Sequence, residues 1–188
     1  MRAQRRAALE RYVLNGSPLP PRPVLDAANL AAYAYTQLAS DDESREELWL
    51  AYAKAAARHL HHRTTLLPLV RAWQRAGIES LLFKGFPLAE FVYASVGQRH
   101  YSDVDVLLDP RRWSEAERIA VAHGWTVIWA RERSLYANSH EEGIITRNGV
   151  VVEVHRLIVH SGSPHDQHQR RVTDAAWAAS EPRKWEDT

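Results

Sequence analysis

Apolar positions follow two different rhythms along this chain. From about residue 25 to residue 77 they recur at helical spacing. From residue 78 to residue 157 they come in short blocks cut by Gly, Pro, Asn and Asp. The first rhythm marks helices with a buried stripe, and the second marks strands and turns. Residues 25–39 (LDAANLAAYAYTQLA) are rich in alanine and predict a helix. Ser40–Glu47 combines cap-type residues with acids suited to a first helical turn, and the pattern runs on through LVRAWQRAG (69–77), with a bend expected at Pro68. Gly77 is a natural stop.

The second rhythm predicts a strand over Ile78–Lys84 and a helix over Phe86–Ser95, with Pro87 tolerated in its first turn. Val104–Leu108 reads as a strand. Pro110 opens a helix that Gly124 closes, and Trp125–Ala130 returns to a strand. Gly143–Arg147 and Val150–Leu157 flank Asn148-Gly149, a strong short hairpin signal. The expected fold class is therefore α/β or α+β: a mixed sheet with flanking helices, preceded by a helical segment. The segments divide as an arm over 1–24, a helical segment over 25–77, a core over 78–160 and a polar, His-rich tail over 161–188. The arm starts basic and ends in a stretch where Pro18, Pro20, Pro21 and Pro23 forbid a continuous helix.

Composition narrows the picture. Hydrophobic residues make up 45% of the 188, enough for a core. A net charge of +1 argues against bulk electrostatic coating of nucleic acid, leaving a local basic patch open. The absence of cysteine removes disulfides, thiolate zinc sites and thiol nucleophiles. No apolar run suits a signal peptide or a membrane span, so a cytoplasmic protein is the default expectation.

The chemistry concentrates in Ser102-Asp103-Val104-Asp105-Val106. On a strand Asp103 and Asp105 share one face, with Cα atoms roughly 6–7 Å apart. Two such carboxylates repel unless a cation lies between them, and a divalent metal suits this because hard cations prefer oxygen. An exposed turn or helix cap is the plainer alternative. In Val151-Val152-Glu153-Val154-His155 the valines at 152 and 154 can face the core, leaving Glu153 and His155 on the other side. If this strand lies beside the aspartate strand, Glu153 is a third carboxylate at the same place. Alone it would be an exposed hairpin residue. Phe83-Lys84-Gly85-Phe86 ends a strand and begins a helix. Gly85 permits close backbone approach by a phosphate and Lys84 offers a point charge, although ordinary strand-to-helix turns look the same. Arg99 either reaches this site or pairs locally. Ser102 either donates to a phosphate or caps the turn.

Taken together, AGIESLLFKGFPLAEFVYASVGQRHYSDVDVLLDP, the following helix ending in HGW, and VVEVH resemble the polymerase-β-type nucleotidyltransferases. The similarity is to the bacterial branch with a Lys-Gly turn in place of Gly-Ser, and it covers roughly residues 64–160. It implies a minimal mixed sheet with flanking helices. It also implies two magnesium ions at Asp103, Asp105 and Glu153, which are the catalytic residues, and a nucleoside triphosphate donor. Lys84, Gly85, Arg99, Ser102 and His155 would lie on the nucleotide. The reaction would move a nucleoside monophosphate to a hydroxyl of a small molecule or protein and release pyrophosphate.

Two rival readings use the same chain. One is a non-catalytic binding module or antitoxin-like partner. The other is a nucleic-acid binder acting through Arg2, Arg5, Arg6 and Arg11. His59 and His62 share a helix face, for which a solvated or partly packed face is the expectation. His160, His165 and His168 form a loose cluster without metal-site spacing.

Overall fold

The computed structural model describes residues 2–15, 18–131, 140–159 and 167–183. The chain forms two compact units, residues 1–63 with 85–102 and residues 64–84 with 103–188. Among the described residues no helix is long and apolar enough to cross a membrane.

The helical unit holds α1 (Arg2–Asn15), α2 (Arg22–Ala27), α3 (Ala31–Gln37), the first part of α4 (Ser44–Arg75) and α5 (Gly85–Phe91). The single helix expected over 25–39 is two helices. Asn29 adopts a left-handed backbone with φ 57° and stops the first. Leu30 N–H donates to Leu25 O at 2.9 Å and Asn29 N–H to Asp26 O at 3.1 Å, the paired bonds of a Schellman cap. Asn tolerates this conformation better than most residues, so the signal was present but faint beside six alanines. The α4 start fits its sequence: Asp42 Oδ1 accepts from Ser44 N–H at 2.8 Å, and Glu46 and Glu47 stand in the first turn. Pro68 does not end α4, which continues to Arg75. Tyr12, Leu25, Ala31, Ala34 and Leu48 form a small apolar core.

This unit also buries a polar chain. His59 is fully buried. Its Nε2 donates to Glu90 Oε2 at 2.5 Å, which leaves Nδ1 to accept from the Tyr101 hydroxyl at 2.8 Å. Arg63 donates to the other Glu90 oxygen at 3.0 Å. Of the solvated or partly packed face expected at His59 and His62, the structure shows the packed form, with both residues buried. Their partners come from residues about 30–40 positions away, which helical spacing does not reveal.

The sheet unit contains β1 (Ser80–Phe83), β2 (Val104–Leu108), β3 (Thr126–Ala130), β4 (Glu141–Arg147) and β5 (Val150–His155), with α6 (Trp113–Ala122) and α7 (Gln167–Ala179). The strand order is β1-β2-β5-β4-β3. Only β2 and β5 run parallel, and the other neighbours are antiparallel. The mixed sheet with flanking helices is thus observed. Gly77 and Gly124 end their helices as expected, each with a left-handed backbone, φ 67° and 79°. Each is followed by the 6→1 bond of a Schellman cap, Ile78 N–H to Trp73 O and Trp125 N–H to Ala120 O. The tail shows more order than its composition suggests, since α7 spans Gln167–Ala179. His160 and His165 lie outside the described residues.

One face of the sheet is closed and apolar. Val104, Val106, Val152 and Val154 are all fully buried. Trp113, the first residue of α6, is also buried, and its indole occupies the space beside Gly143. A Cβ at Gly143 would lie 2.3 Å from Trp113 Cζ2. We expect Gly143→Ala to destabilise the fold by about 1–3 kcal/mol, the usual cost of overpacking. Chemical denaturation checks this, and an unchanged midpoint would show that the indole can move aside.

Candidate active site

The opposite face of β2 and β5 carries the acidic and histidine side chains. Parallel register sets Asp105 beside Glu153 and Val106 beside Val154. Because side chains alternate, Asp105, Glu153 and His155 share a face while the valines fill the other. Donor atoms of these three residues lie within 4.8 Å of one another. On the other side β1 pairs Phe83 with Asp105, which brings the end of β1 to the same place.

Asp105 is the hub. It is buried, and its Oδ1 accepts from His155 Nε2 at 2.9 Å and from the Lys84 ammonium. Burial alone would push the Asp105 carboxyl up. Hydrogen bonds and charge from His155 and Lys84 together outweigh it and hold the group below its ordinary value. Lys84 reaches this position from a left-handed backbone, φ 59°, uncommon for a residue with a Cβ. Such strain persists where surrounding structure holds it, and functional sites are where it clusters. His155 is fully buried, flanked by Phe83 and His140 rings with centroids 5.0 and 5.1 Å away.

Glu153 sits differently. Its carboxyl is only partly buried, 3.6 Å from His155 Nε2. Burial raises its pKa, the charges of Asp103, Glu141 and Asp105 raise it further, and His155 opposes them. Asp103 falls outside the three-residue group, but its charge is felt there. Glu141 is a carboxylate that the sequence reading missed. It faces His155 across the β4–β5 ladder. The only sequence signal was an acid at the start of the hairpin, which is common on exposed strands.

These residues fit a divalent cation. Four carboxylates bear on one spot against Lys84 and His155, and their crowding is visible in the raised Glu153 carboxyl. Two oxygens and an imidazole nitrogen converge, a donor set suited to a hard or borderline metal. Among the described residues His155 Nδ1 is buried without a hydrogen-bond partner.

Of the other expected site residues, Gly85, Arg99 and Ser102 belong to the helical unit. Gly85 opens α5, and a Cβ there would stand 2.5 Å from Tyr101 Cβ, so only glycine fits. Among the described residues Arg99 Nε is buried with no hydrogen-bond partner. Ser102 is exposed. A cavity of about 590 Å³ in the sheet unit, bordered by Leu108, Arg112, Arg156 and Trp177, includes none of the acidic group. Converging charge, not cavity size, locates the site.

A family model described as an uncharacterised nucleotidyltransferase matches residues 23–188. The chain belongs to this family. No curated protein and no solved structure matches it significantly. In a member of a nucleotidyltransferase family, a carboxylate and histidine cluster that could hold a metal ion fits chemistry that handles phosphates.

The crowding at Glu153 has a measurable consequence. A carboxyl whose pKa is raised on folding destabilises the folded chain once it ionises. That cost is absent below the unfolded value and grows as pH rises through the folded value. We therefore expect Glu153→Gln to raise the thermal midpoint of metal-free protein at neutral pH, with the gain vanishing below the ordinary carboxylate range. Melting curves in EDTA across pH check this. A gain independent of pH, or a loss at neutral pH, would rule out charge crowding as the cause.

Proposed function

We propose that this chain is a metal-dependent nucleotidyltransferase that moves a nucleoside monophosphate from a nucleoside triphosphate to a hydroxyl of a small-molecule or protein acceptor. The observation that carries the reading is the register of β2 and β5, which makes Asp105 and Glu153 neighbours with His155 and Lys84 converging on them. Family membership and the resemblance to the branch with Lys-Gly, Asp-x-Asp and Glu-x-His support it.

Asp103, Asp105 and Glu153 are the metal ligands in this reading, with magnesium, as two ions, the expected metal. Bound metal supplies charge stabilisation at the phosphoryl oxygens and a lowered pKa for the acceptor hydroxyl. His155 orients Asp105 through their hydrogen bond. Lys84, half exposed at its side chain, is free to swing from Asp105 to a phosphate oxygen of the donor. Glu153, level with Asp105 on the same face, is placed to take the proton of the attacking hydroxyl. The acceptor oxygen bonds to the α-phosphorus, the bond to the pyrophosphate oxygen breaks, and pyrophosphate leaves. Nucleotide roles for Gly85, Arg99 and Ser102 rest on the sequence pattern.

One observation favours a second reading. Asp105 Oδ1 already has two donors, Lys84 and His155, so the cluster is partly neutralised from within. A non-catalytic binding module could keep such a site as a structural knot.

Calorimetric titration with non-hydrolysable nucleoside triphosphate analogues, in magnesium and then in EDTA, separates the two. We expect magnesium-dependent binding in the wild type and its loss, at least about tenfold, in Asp105→Asn, which keeps the shape and removes the charge. A folded wild type that binds no analogue with magnesium, or an Asp105→Asn protein that binds equally well, rules out the enzyme reading.

A further inference from the structure

The helical unit gathers basic side chains that pair with no carboxylate among the described residues. Arg58, on the exposed side of α4, donates from Nη1 to His100 Nε2 at 3.0 Å and to the Tyr101 carbonyl at 3.3 Å. Both contacts use one nitrogen, so its remaining N–H groups are uncommitted. Arg99 lies next to His100 in the chain, and its buried Nε has no partner. Lys54 precedes Arg58 by one helical turn on the same face of α4. Among the described residues none of Lys54, Arg58 and Arg99 pairs with a carboxylate. Glu90 is already engaged by His59 and Arg63.

Like charges held together without an acid cost stability, and the molecule has had to adapt to them. His100 is held below its ordinary pKa by burial, then by the charges of Arg58 and Arg99, so it stays neutral and accepts from Arg58. A guanidinium with further donors, a second guanidinium with a buried nitrogen and a nearby ammonium concentrate positive charge and N–H groups around His100. The 3.0 Å bond to His100 fixes where the Arg58 fork points. A scatter of exposed arginines would not have that.

We propose that Arg58, Arg99 and His100, with Lys54 at the margin, form an anion subsite that takes a phosphate group without needing a metal. This goes beyond the nucleotide role expected of Arg99 alone by adding three residues and a metal-independent affinity. It rests on the nucleotidyltransferase reading only for the source of the phosphate, which is either the donor's triphosphate tail or a phosphate on the acceptor.

The test is calorimetric titration of the full chain with inorganic tripolyphosphate in EDTA. Arg58→Ala is the main variant, because Arg58 is exposed and its loss leaves the buried polar chain intact. Lys54→Ala is a second, milder variant. Arg75→Ala, at an exposed arginine in the sheet unit, controls for bulk charge. We expect wild-type binding, a loss of about tenfold or more in Arg58→Ala, a smaller loss in Lys54→Ala and no change in Arg75→Ala. No binding by the wild type, or equal weakening in Arg58→Ala and Arg75→Ala, overturns the subsite.

Competition then identifies the source. If a magnesium-bound nucleotide analogue displaces tripolyphosphate, the subsite serves the donor. If the two bind together, it serves a phosphorylated acceptor. Tripolyphosphate binding through Arg58 in a protein with no magnesium-dependent nucleotide affinity would uphold the subsite while the nucleotidyltransferase reading fell.

Discussion

The parallel pairing of β2 with β5 is the constraint on which the acidic site depends. It joins two strands separated by more than forty residues of sequence and brings Asp105 level with Glu153. A one-residue slip would turn the carboxylates into the apolar layer and expose the valines. Fully buried Val104, Val106, Val152 and Val154 prevent that slip. The same hydrophobic packing that closes one face therefore presents the charges on the other. The close fit of Trp113 against Gly143 belongs to this arrangement, because it keeps α6 on the apolar side and leaves the acidic side uncovered by that helix.

Charge placed this way has to be balanced. Lys84 and His155 keep Asp105 ionised despite its burial, whereas Glu153 is left among like charges and its carboxyl rises. Neighbouring carboxylates whose environments push them in opposite directions are a recurring mark of divided roles, one as a fixed charge and one as a proton acceptor. The helical unit shows the opposite imbalance, an excess of cations around Arg58 and Arg99. Its buried acid, Glu90, is committed to the chain through His59 to Tyr101. Each unit thus carries uncompensated charge of one sign, and such charge is where a ligand gains most from binding.

Much of the fold was legible locally. Gly77 and Gly124 announced their helix ends, Asn148-Gly149 announced the hairpin, and β2 was evident from its apolar run. Asn29 was passed over because helix propensity summed over its neighbours masked a single cap residue. Pro68 lies inside α4, and the helix continues past it as its sequence pattern predicted. The acidic pair was visible as a motif, and the alternation of Glu153 and His155 put them on a common face. Glu141 stayed hidden, since its place opposite His155 depends on a ladder register interrupted near Gly143. Arg58, Glu90 and Tyr101 were silent too, each being an ordinary residue until distant segments meet.

The sequence by itself determined the helix ends, the hairpin, the two-faced strands and the candidate carboxylates, because these follow from backbone preferences and side-chain alternation over a few residues. Tertiary structure alone decided which strands became neighbours, that His155 and Lys84 share one oxygen of Asp105, and which charges were left without a counter-ion. Those outcomes depend on distances between groups far apart in the chain. A Coulomb or hydrogen-bond energy falls off within a few ångströms, and the order of residues does not encode that separation.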